Sequence, residues 1–490
     1  MANLPKHLEE ERIKICKIAK EAGLDFFDTI FEIVKYDHIS ELAAYGGFPV
    51  RYPHWRFGME YNKLSTSYKY GLSKIYEMVI NTDPCYAYLM EGNTLMDQKL
   101  VMTHVYGHCD FFKNNVWFQT TNRKMIQTMS DHARRIKKYM NRYGKDKVEN
   151  FIDVALSLEN LIDIYNLEEN PKENTTSIQS PSVPLLRVDR QYMDKYINPP
   201  EYVAKQKEKL ESEFKNKLKF PIESQRDVLK FLIDYAPLEE WQSDVLSIIR
   251  SEALYFAPQG MTKTLNEGWA SYWHSKLMTE KILADSEIIE FADKHAGVMQ
   301  MAPNGYNPYK IGIELLRDIE ERWNKGQFGK EWEECDSIQE KANWDKKTMK
   351  GREKIFEVRK FYNDVNFIDE FLTLDFCKKH GLYVYKKNPD TGEFEVDTTN
   401  FKAIKQTLLF KLTNFGQPII KVENANFDNK GELLLIHSHE GVDLQPDYME
   451  RTMKNLFIVW SRPINLQTIM DGEPFIFRYD GREFSEKHVK

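Results

Sequence analysis

The sequence predicts a mainly α-helical protein with a smaller α+β domain at its C-terminal end. Three observations support this fold class. Apolar residues recur at helical spacing through most of the first 378 positions, short β-type runs separated by turns follow after position 379, and no internal repeat or low-complexity tract interrupts either part. The 490 residues, 42% of them hydrophobic, are enough to bury a large core.

The helical part divides into two predicted regions joined by a polar segment. Residues 1–165 carry apolar positions at helical spacing. Residues 166–190 combine turn formers with little apolar content, which predicts an exposed linker or excursion. Residues 191–378 predict a second helical region that packs on the first, and it includes a helix from Pro237 to Ala257 that Pro258 ends.

The C-terminal part, residues 379–490, has a different pattern. Apolar, β-branched and aromatic residues gather in short runs with turn formers between them, which is typical of a small α+β domain. The predicted strands are Tyr383 to Tyr385, Glu393 to Val396, Pro418 to Val422, Leu433 to Ile436 and Leu456 to Trp460.

Charge and cysteine content exclude several classes of protein. Acidic residues outnumber basic ones by 75 to 68, so nothing favours wholesale attraction to nucleic acid or to an anionic membrane. The sequence opens without a basic-then-apolar leader, and no uninterrupted apolar segment approaches ~18 residues, which predicts a soluble cytoplasmic protein without stable membrane insertion. Five scattered cysteines without a Cys-x-x-Cys pair predict reduced thiols.

The most informative motif is His104-Val-Tyr-Gly-His108. Residues four apart on a helix share a face, so both imidazoles can approach one ion. Glu267, in a second predicted helix from Met261 to Leu277, would complete a two-nitrogen, one-oxygen site with an open position for water. A metal-dependent hydrolase has this pattern, with zinc as the leading metal and manganese or iron as alternatives. The competing interpretation is a pair of histidines hydrogen-bonded inside a helical core.

Segments spread over almost the whole chain carry a family resemblance. They are Phe48 to Tyr61, Ile80 to Tyr88, His104 to Asn114, Tyr255 to Lys263, Asn266 to His274, Asn307 to Lys310, Arg317 to Trp323 and His437 to Gly441. In these segments the chain resembles the SpoVR-like family, named after stage V sporulation protein R.

That resemblance implies a role in sporulation, in the formation of the spore cortex, or in a related stress response. It also implies a PrkA-type serine kinase and a small YhbH-like protein as partners. In this setting the expected substrate of a hydrolase is a peptidoglycan precursor or another protein, cut at an amide or peptide bond.

A second, shorter resemblance concerns the run from Asn266 to Ala270. Gluzincin-type peptidases have a separate helix with an Asn-Glu or Glu-Gly-Trp-Ala sequence whose glutamate is the third zinc ligand, and this segment is similar to it. Those peptidases place a general-base glutamate directly after the first histidine, where this chain has Val105, which cannot accept a proton. Glu252, an acid amid apolar neighbours, is the candidate base, and a buried ion pair with an arginine is its alternative role.

Three further residues are predicted to surround the metal. His274, seven positions after Glu267, is a candidate fourth ligand or substrate contact, although two helical turns separate the two backbones by ~10 Å. Asp110 is a candidate acceptor for an imidazole N–H, and Asn266 is a candidate neighbour of the ligands or of the substrate.

Four more residues are candidates for supporting the site or contacting the substrate. His132 and His295 each have a structural role as the alternative. His54 and Arg56 lie in an aromatic run that could line a pocket for a sugar or a peptide carboxylate, and core packing is the alternative.

The predicted function is therefore a metal-dependent hydrolase of amide or peptide bonds. Phosphate-binding loops, nucleophile elbows and dinucleotide glycine fingerprints are absent, which disfavours kinase, serine-hydrolase and dehydrogenase functions. The alternative is a non-catalytic scaffold of a kinase-linked complex, in which a metal only staples helices together. Val105 is the main argument for that alternative.

Overall fold

The computed structural model describes residues 4–69, 77–166, 203–209, 220–221, 223–301, 305–389 and 391–489. Within these residues the fold is mainly α with an α+β part at the C-terminal end, which confirms the predicted fold class. The predicted linker at residues 166–190 lies, apart from its first residue, outside the described residues. Among the helices in the described ranges, none has the length and apolar character that crossing a bilayer requires.

The chain divides into two compact units, each assembled from two separate stretches. The first unit comprises Met1–Glu149 and Leu254–Gln417. The second unit comprises Asn150–Ala253 and Pro418–Lys490. The predicted domain boundaries at residues 165, 190 and 378 stay a prediction.

The first unit contains two buried helices, Leu95–Asn114 and Lys263–Leu277, which we call the histidine helix and the glutamate helix. Both bury residues on all sides, which is the pattern of a central helix and not of an amphipathic surface helix. The other helices of this unit are Lys6–Glu21, Tyr36–Ala44, Trp55–Lys69, Met125–Tyr143, Ile288–Val298, Pro308–Lys325, Lys330–Glu333, Ile338–Ala342, Gly351–Phe361, Asp364–Phe371, Leu374–His380 and Phe401–Leu412, and helix Lys145–Ser157 begins here.

A three-stranded sheet that no sequence pattern indicated precedes the histidine helix. β1 (Thr29–Val34) pairs in parallel with β3 (Cys85–Met90), and β2 (Glu77–Ile80) pairs antiparallel with the other edge of β3. Residues on both faces of β3 are buried, so apolar and polar residues do not alternate along the strand. Its sequence is a short apolar run. A run of this kind cannot be told from a helical segment by periodicity alone.

The start of the histidine helix is fixed by a capping box. The Thr94 hydroxyl accepts a hydrogen bond from the Asp97 N–H, and the Asp97 carboxylate accepts one from the Thr94 N–H. His104 and His108 follow near the middle of this helix, where their side chains are buried. A hairpin of β4 (Val384–Lys387) and β5 (Phe394–Thr398) overlaps two of the predicted strands and precedes helix Phe401–Leu412.

The second unit contains a five-stranded sheet in the order β10-β9-β8-β7-β6. Its strands are β6 (Ile420–Phe427), β7 (Glu432–His437), β8 (Ile464–Met470), β9 (Glu473–Tyr479) and β10 (Phe484–His488). β7 and β8 are parallel and are connected through helix Pro446–Trp460, whereas the other neighbours are antiparallel. Helix Val228–Tyr235 and helix Glu240–Met261 as far as Ala253 also belong to this unit.

The strand predicted from Leu456 to Trp460 is wrong. These residues are the last part of helix Pro446–Trp460. The helix buries Met449, Met453 and Leu456, which recur at helical spacing. The five apolar residues taken alone are too short to reveal that period.

The helix end predicted at Pro258 is also wrong, because the helix runs on to Met261. A proline removes only its own N–H from the helical ladder. The carbonyl of Pro258 accepts hydrogen bonds from the N–H and the hydroxyl of Thr262, at 3.2 and 2.7 Å, so one more turn forms.

Candidate metal centre

Small residues bring the glutamate helix close to two other helices. A Cβ atom on Gly107 would lie 2.7 Å from Cα of Ala270, so the histidine and glutamate helices approach each other at this point. A Cβ atom on Gly268 would lie 2.5 Å from the backbone of Gly312, in helix Pro308–Lys325. Both distances are shorter than a side chain tolerates, so glycine is required at these contacts. They set the separation of the helices that carry the candidate ligands.

The N-terminus of the glutamate helix is held by Asp364. Its carboxylate accepts hydrogen bonds from the N–H groups of Thr264 and Leu265, at 2.7 and 2.9 Å. Burial raises the pKa of Asp364 to about 7, although these two N–H groups act in the opposite direction. Glu267 lies two positions after Leu265, so the contact with Asp364 fixes the position of Glu267 along the axis of the glutamate helix.

His104, His108 and Glu267 meet between the two helices. Nε2 of each histidine lies 3.5 Å from Oε2 of Glu267, and ligand atoms of the three residues all lie within 4.8 Å of one another. A tetrahedral ion about 2.1 Å from each ligand atom separates those atoms by about 3.4 Å. The two nitrogen-to-oxygen separations therefore fit an ion of the size of zinc. In the described part of the chain, no other set of three His, Cys, Asp or Glu residues converges in this way.

The ring of His108 is oriented by Asn266. Nδ1 of His108 lies 2.9 Å from the amide oxygen Oδ1 of Asn266. An oxygen acceptor requires the proton on Nδ1, which leaves the lone pair of a neutral ring on Nε2, directed toward Glu267. This is how a partner outside the ligand set fixes the tautomer of a metal-binding histidine.

The carboxylate of Glu267 has no hydrogen-bond donor at the oxygen that faces the histidines. Oε2 is buried and makes no hydrogen bond. Burial by itself raises the pKa of Glu267, but His104 and His108 outweigh this effect and hold the pKa well below the ordinary value. An ionised oxygen facing two imidazole nitrogens requires a positive charge between them, carried either by protons or by a metal ion.

His274 does not add a ligand atom to this set. Its Nδ1 lies 2.8 Å from Nδ1 of His104, and its Nε2 lies 3.2 Å from Nδ1 of His295. Burial, followed by the charges of His104 and His295, lowers the pKa of His274 well below the ordinary histidine value. A neutral His274 orients the ring of His104 from behind, and His295 in turn orients His274.

The predicted contact between Asp110 and an imidazole is not formed. Asp110 accepts hydrogen bonds from Nε1–H of Trp269 at 2.8 Å and from the N–H of Asp25 at 2.7 Å, and lies 3.6 Å from Arg359. Two positions along a helix correspond to about 200° of rotation, so Asp110 points away from the face of His108. Burial raises the pKa of Asp110 to about 6.

The remaining predicted residues lie outside the cluster of three. Glu252 is buried on helix Glu240–Met261 among residues of the second unit, whereas the cluster belongs to the first, and its role as base stays a prediction. His132 is buried on helix Met125–Tyr143. His54 is buried directly before helix Trp55–Lys69, and its Nδ1 accepts the N–H of Arg56 at 3.2 Å. The side chain of Arg56 is exposed.

Two residues near the cluster were not recognised from the sequence. The ring of Tyr309 lies nearly parallel to that of His104, at 25° and with 6.4 Å between ring centroids. Asp364 is the second. Neither carries a local pattern that indicates a role, because a tyrosine after a proline and an acid at the start of a helix are ordinary features.

The comparison with known families agrees with the resemblance seen in the sequence. The family model described as SpoVR like protein matches residues 3–417. The chain belongs to the SpoVR-like family. Uncharacterized protein YcgB of Escherichia coli (strain K12) is 33% identical over an alignment of 321 residues. The match covers 62% of this chain and 62% of YcgB, which is less than two thirds of its length. No solved structure matches. The SpoVR-like match ends before β6, so the five-stranded sheet lies beyond it.

Proposed function

We propose that the protein is a metal-dependent hydrolase in which His104, His108 and Glu267 hold one divalent ion, with zinc preferred over manganese or iron. The observation that supports this is the 3.5 Å spacing of two imidazole nitrogens from a buried carboxylate oxygen that has no hydrogen bond. Three protein ligands leave a position for water, as in catalytic zinc sites. The side chain of Glu267 as a whole is 18% exposed, although its oxygen Oε2 is buried.

The proposed reaction is hydrolysis of an amide or peptide bond, in a peptidoglycan precursor or in a protein. A bound metal would lower the pKa of a coordinated water. Asn266 and His274 hold the two imidazole rings in place for this metal. Val105 is fully buried and cannot accept the proton, so we propose Glu252 as the general base. Sporulation, in the formation of the spore cortex, is the proposed setting.

A second function has one observation in its favour. In gluzincin-type peptidases the general-base glutamate directly follows the first histidine. In this chain Val105 occupies that position, and its side chain is buried in apolar surroundings. A metal at such a site would join the histidine and glutamate helices without catalysing hydrolysis. The protein would then act as a scaffold in a cytoplasmic complex with a PrkA-type serine kinase and a YhbH-like protein.

The first experiment is metal analysis of the purified full chain by mass spectrometry. We expect one metal ion per chain in the wild type and none in Glu267→Gln. A wild type that contains no metal and takes up neither zinc, manganese nor iron contradicts the proposal, because the positive charge between the three residues is then carried by protons.

The second experiment measures hydrolysis by the metal-containing protein. Peptidoglycan precursor peptides and unfolded protein are the substrates, and Glu252→Gln is compared with the wild type. Loss of turnover with retained metal supports Glu252 as the base. A wild type that holds its metal, cleaves neither substrate and co-purifies with the kinase supports the scaffold instead.

A further inference from the structure

A cavity of about 490 Å³ in the first unit is lined by residues from the starts of the glutamate helix and of helix Pro308–Lys325. Lys263, Val298, Tyr306 and Tyr309 are among its lining residues. Tyr309 connects the cavity to the cluster, because its ring also lies against the ring of His104. Tyr309 is therefore shared by the lining of the cavity and the surroundings of His104.

Lys263 connects the cavity to the cluster a second time. It is the first residue of the glutamate helix and lies four positions before Glu267, so both residues are on the same face of that helix. Four residues of helix correspond to about 6 Å along the axis. One extended peptide residue covers about 3.5 Å of that distance, and two residues cover all of it.

The cavity favours an anion. Lys263 is the one charged residue among the described residues that line it, and its side chain is exposed to solvent. Two helices begin at the cavity, at Lys263 and at Pro308, and their positive ends add to the charge of the lysine. The carboxylate of Asp364 partly offsets this charge, but its oxygens are engaged by backbone N–H groups.

The walls of the cavity favour an apolar group next to that anion. Val298, Tyr306 and Tyr309 supply apolar and aromatic surface. The hydroxyl of Tyr306 is engaged with the hydroxyl of Thr264 at 2.7 Å, so the tyrosine presents its ring to the cavity and not a free hydroxyl group. An aromatic or aliphatic side chain fits such walls.

We propose that this cavity binds the C-terminal carboxylate of a peptide substrate, which pairs with Lys263 while the scissile amide lies at the metal, one or two residues earlier. This inference rests on the proposed hydrolase function. In the reaction the oxygen of water bonds to the amide carbon, the C–N bond breaks, and the leaving amine takes the proton. The enzyme would therefore release residues from the C-terminal end of peptides.

The test measures binding, by isothermal titration of the zinc-containing full chain. The probes are N-acetyl-alanyl-phenylalanine with a free carboxylate and the same peptide as its C-terminal amide. We expect the free acid to bind about tenfold more tightly, which is about 1.4 kcal/mol. Lys263→Met should abolish this difference, and the control Lys281→Met, which removes another exposed lysine of the same unit, should retain it.

Equal affinity for acid and amide in the wild type overturns the inference, and so does a difference that persists in Lys263→Met. If Lys263→Met does not fold, as judged by circular dichroism, Lys263→Gln takes its place. Turnover separates this inference from the proposed function. If the acid binds more tightly but neither peptide is cleaved, the cavity assignment is supported and the hydrolase function is contradicted. If acid and amide are cleaved equally, the hydrolase function is supported and the cavity assignment is contradicted.

Discussion

Two pairs of histidines in this protein lead to different conclusions. His104 and His108 are four positions apart on a helix, and their Nε2 atoms face an oxygen of Glu267 that has no hydrogen bond. His437 and His439 are two positions apart at the end of β7, and Nδ1 of His437 and both ring nitrogens of His439 are engaged by other protein groups.

The second pair shows that histidines near an acid can have protein partners in place of a metal. Nδ1 of His437 lies 2.8 Å from the Thr468 hydroxyl, and Nε2 of His439 lies 2.7 Å from the carboxylate of Asp443. β7 ends at His437, so the two rings are not on one strand face and their centroids are 5.8 Å apart. Sequence spacing brings imidazoles near each other, but a ligand set also needs lone pairs that converge on one point.

The largest expected effect tests this contrast directly. His104→Ala should lower the affinity for zinc by more than 100-fold, because losing a ligand costs more than the 10–100-fold typical of losing an outer partner. His439→Ala is the matched control and should leave zinc affinity unchanged. Competition with a chromophoric chelator measures both variants. Equal losses in the two variants would mean that the pairs are equivalent and that the contrast is wrong.

The next effect concerns the close contacts of the glutamate helix, which matter for His104 and His108 but not for His437 and His439. Gly268→Ala places a methyl group 2.5 Å from the backbone of Gly312, and we expect a loss of about 3 kcal/mol in the free energy of unfolding. Gly58→Ala, in a helix where the new Cβ meets nothing within 4 Å, should gain about 0.5–1 kcal/mol. Urea denaturation measures both variants. A tolerated Gly268→Ala would show that the helices have room to separate.

A smaller effect is expected for the residue that orients His108. Asn266→Ala removes the acceptor at Nδ1, so the ring loses its fixed tautomer, and we expect zinc affinity to fall by about 10–100-fold. Thr468→Val removes the corresponding partner of His437 and should not affect zinc affinity. If Asn266→Ala binds zinc like the wild type, Asn266 has no role in orienting the ligand.

A further effect is a dependence of stability on pH. The pKa of Asp364, about 7 in the folded state, lies above its ordinary value of 3.8, so the folded protein retains this proton at pH values where the unfolded chain has lost it. The stabilising contribution is complete below about pH 4 and is lost as the pH rises to 7. Urea midpoints should therefore show the wild type losing stability relative to Asp364→Asn between pH 5 and pH 8. A constant difference over that range would contradict the raised pKa.

Much of the fold and part of the candidate site could be predicted from local patterns. Helical spacing correctly predicted that His104 and His108 share one face. The same geometry puts Asp110 on a different face, so the sequence already argued against its predicted contact with an imidazole. Periodicity could not assign the short apolar run of β3 or the last five residues of helix Pro446–Trp460, because both are too short to show a period. The partners of His274, Tyr309 and Asp364 were beyond prediction, since they come from other elements.

What the sequence determined by itself is the ligand chemistry and its arrangement along each helix. The 3.6-residue repeat is a local property of the backbone, so it follows from the order of the residues. Only the tertiary structure decided that Glu267 reaches the two histidines. That meeting depends on the close approach of Gly107 to Ala270 and on Asp364 at the helix N-terminus, which are contacts between residues far apart in the sequence. Such contacts form through packing of side chains, and no local pattern encodes them.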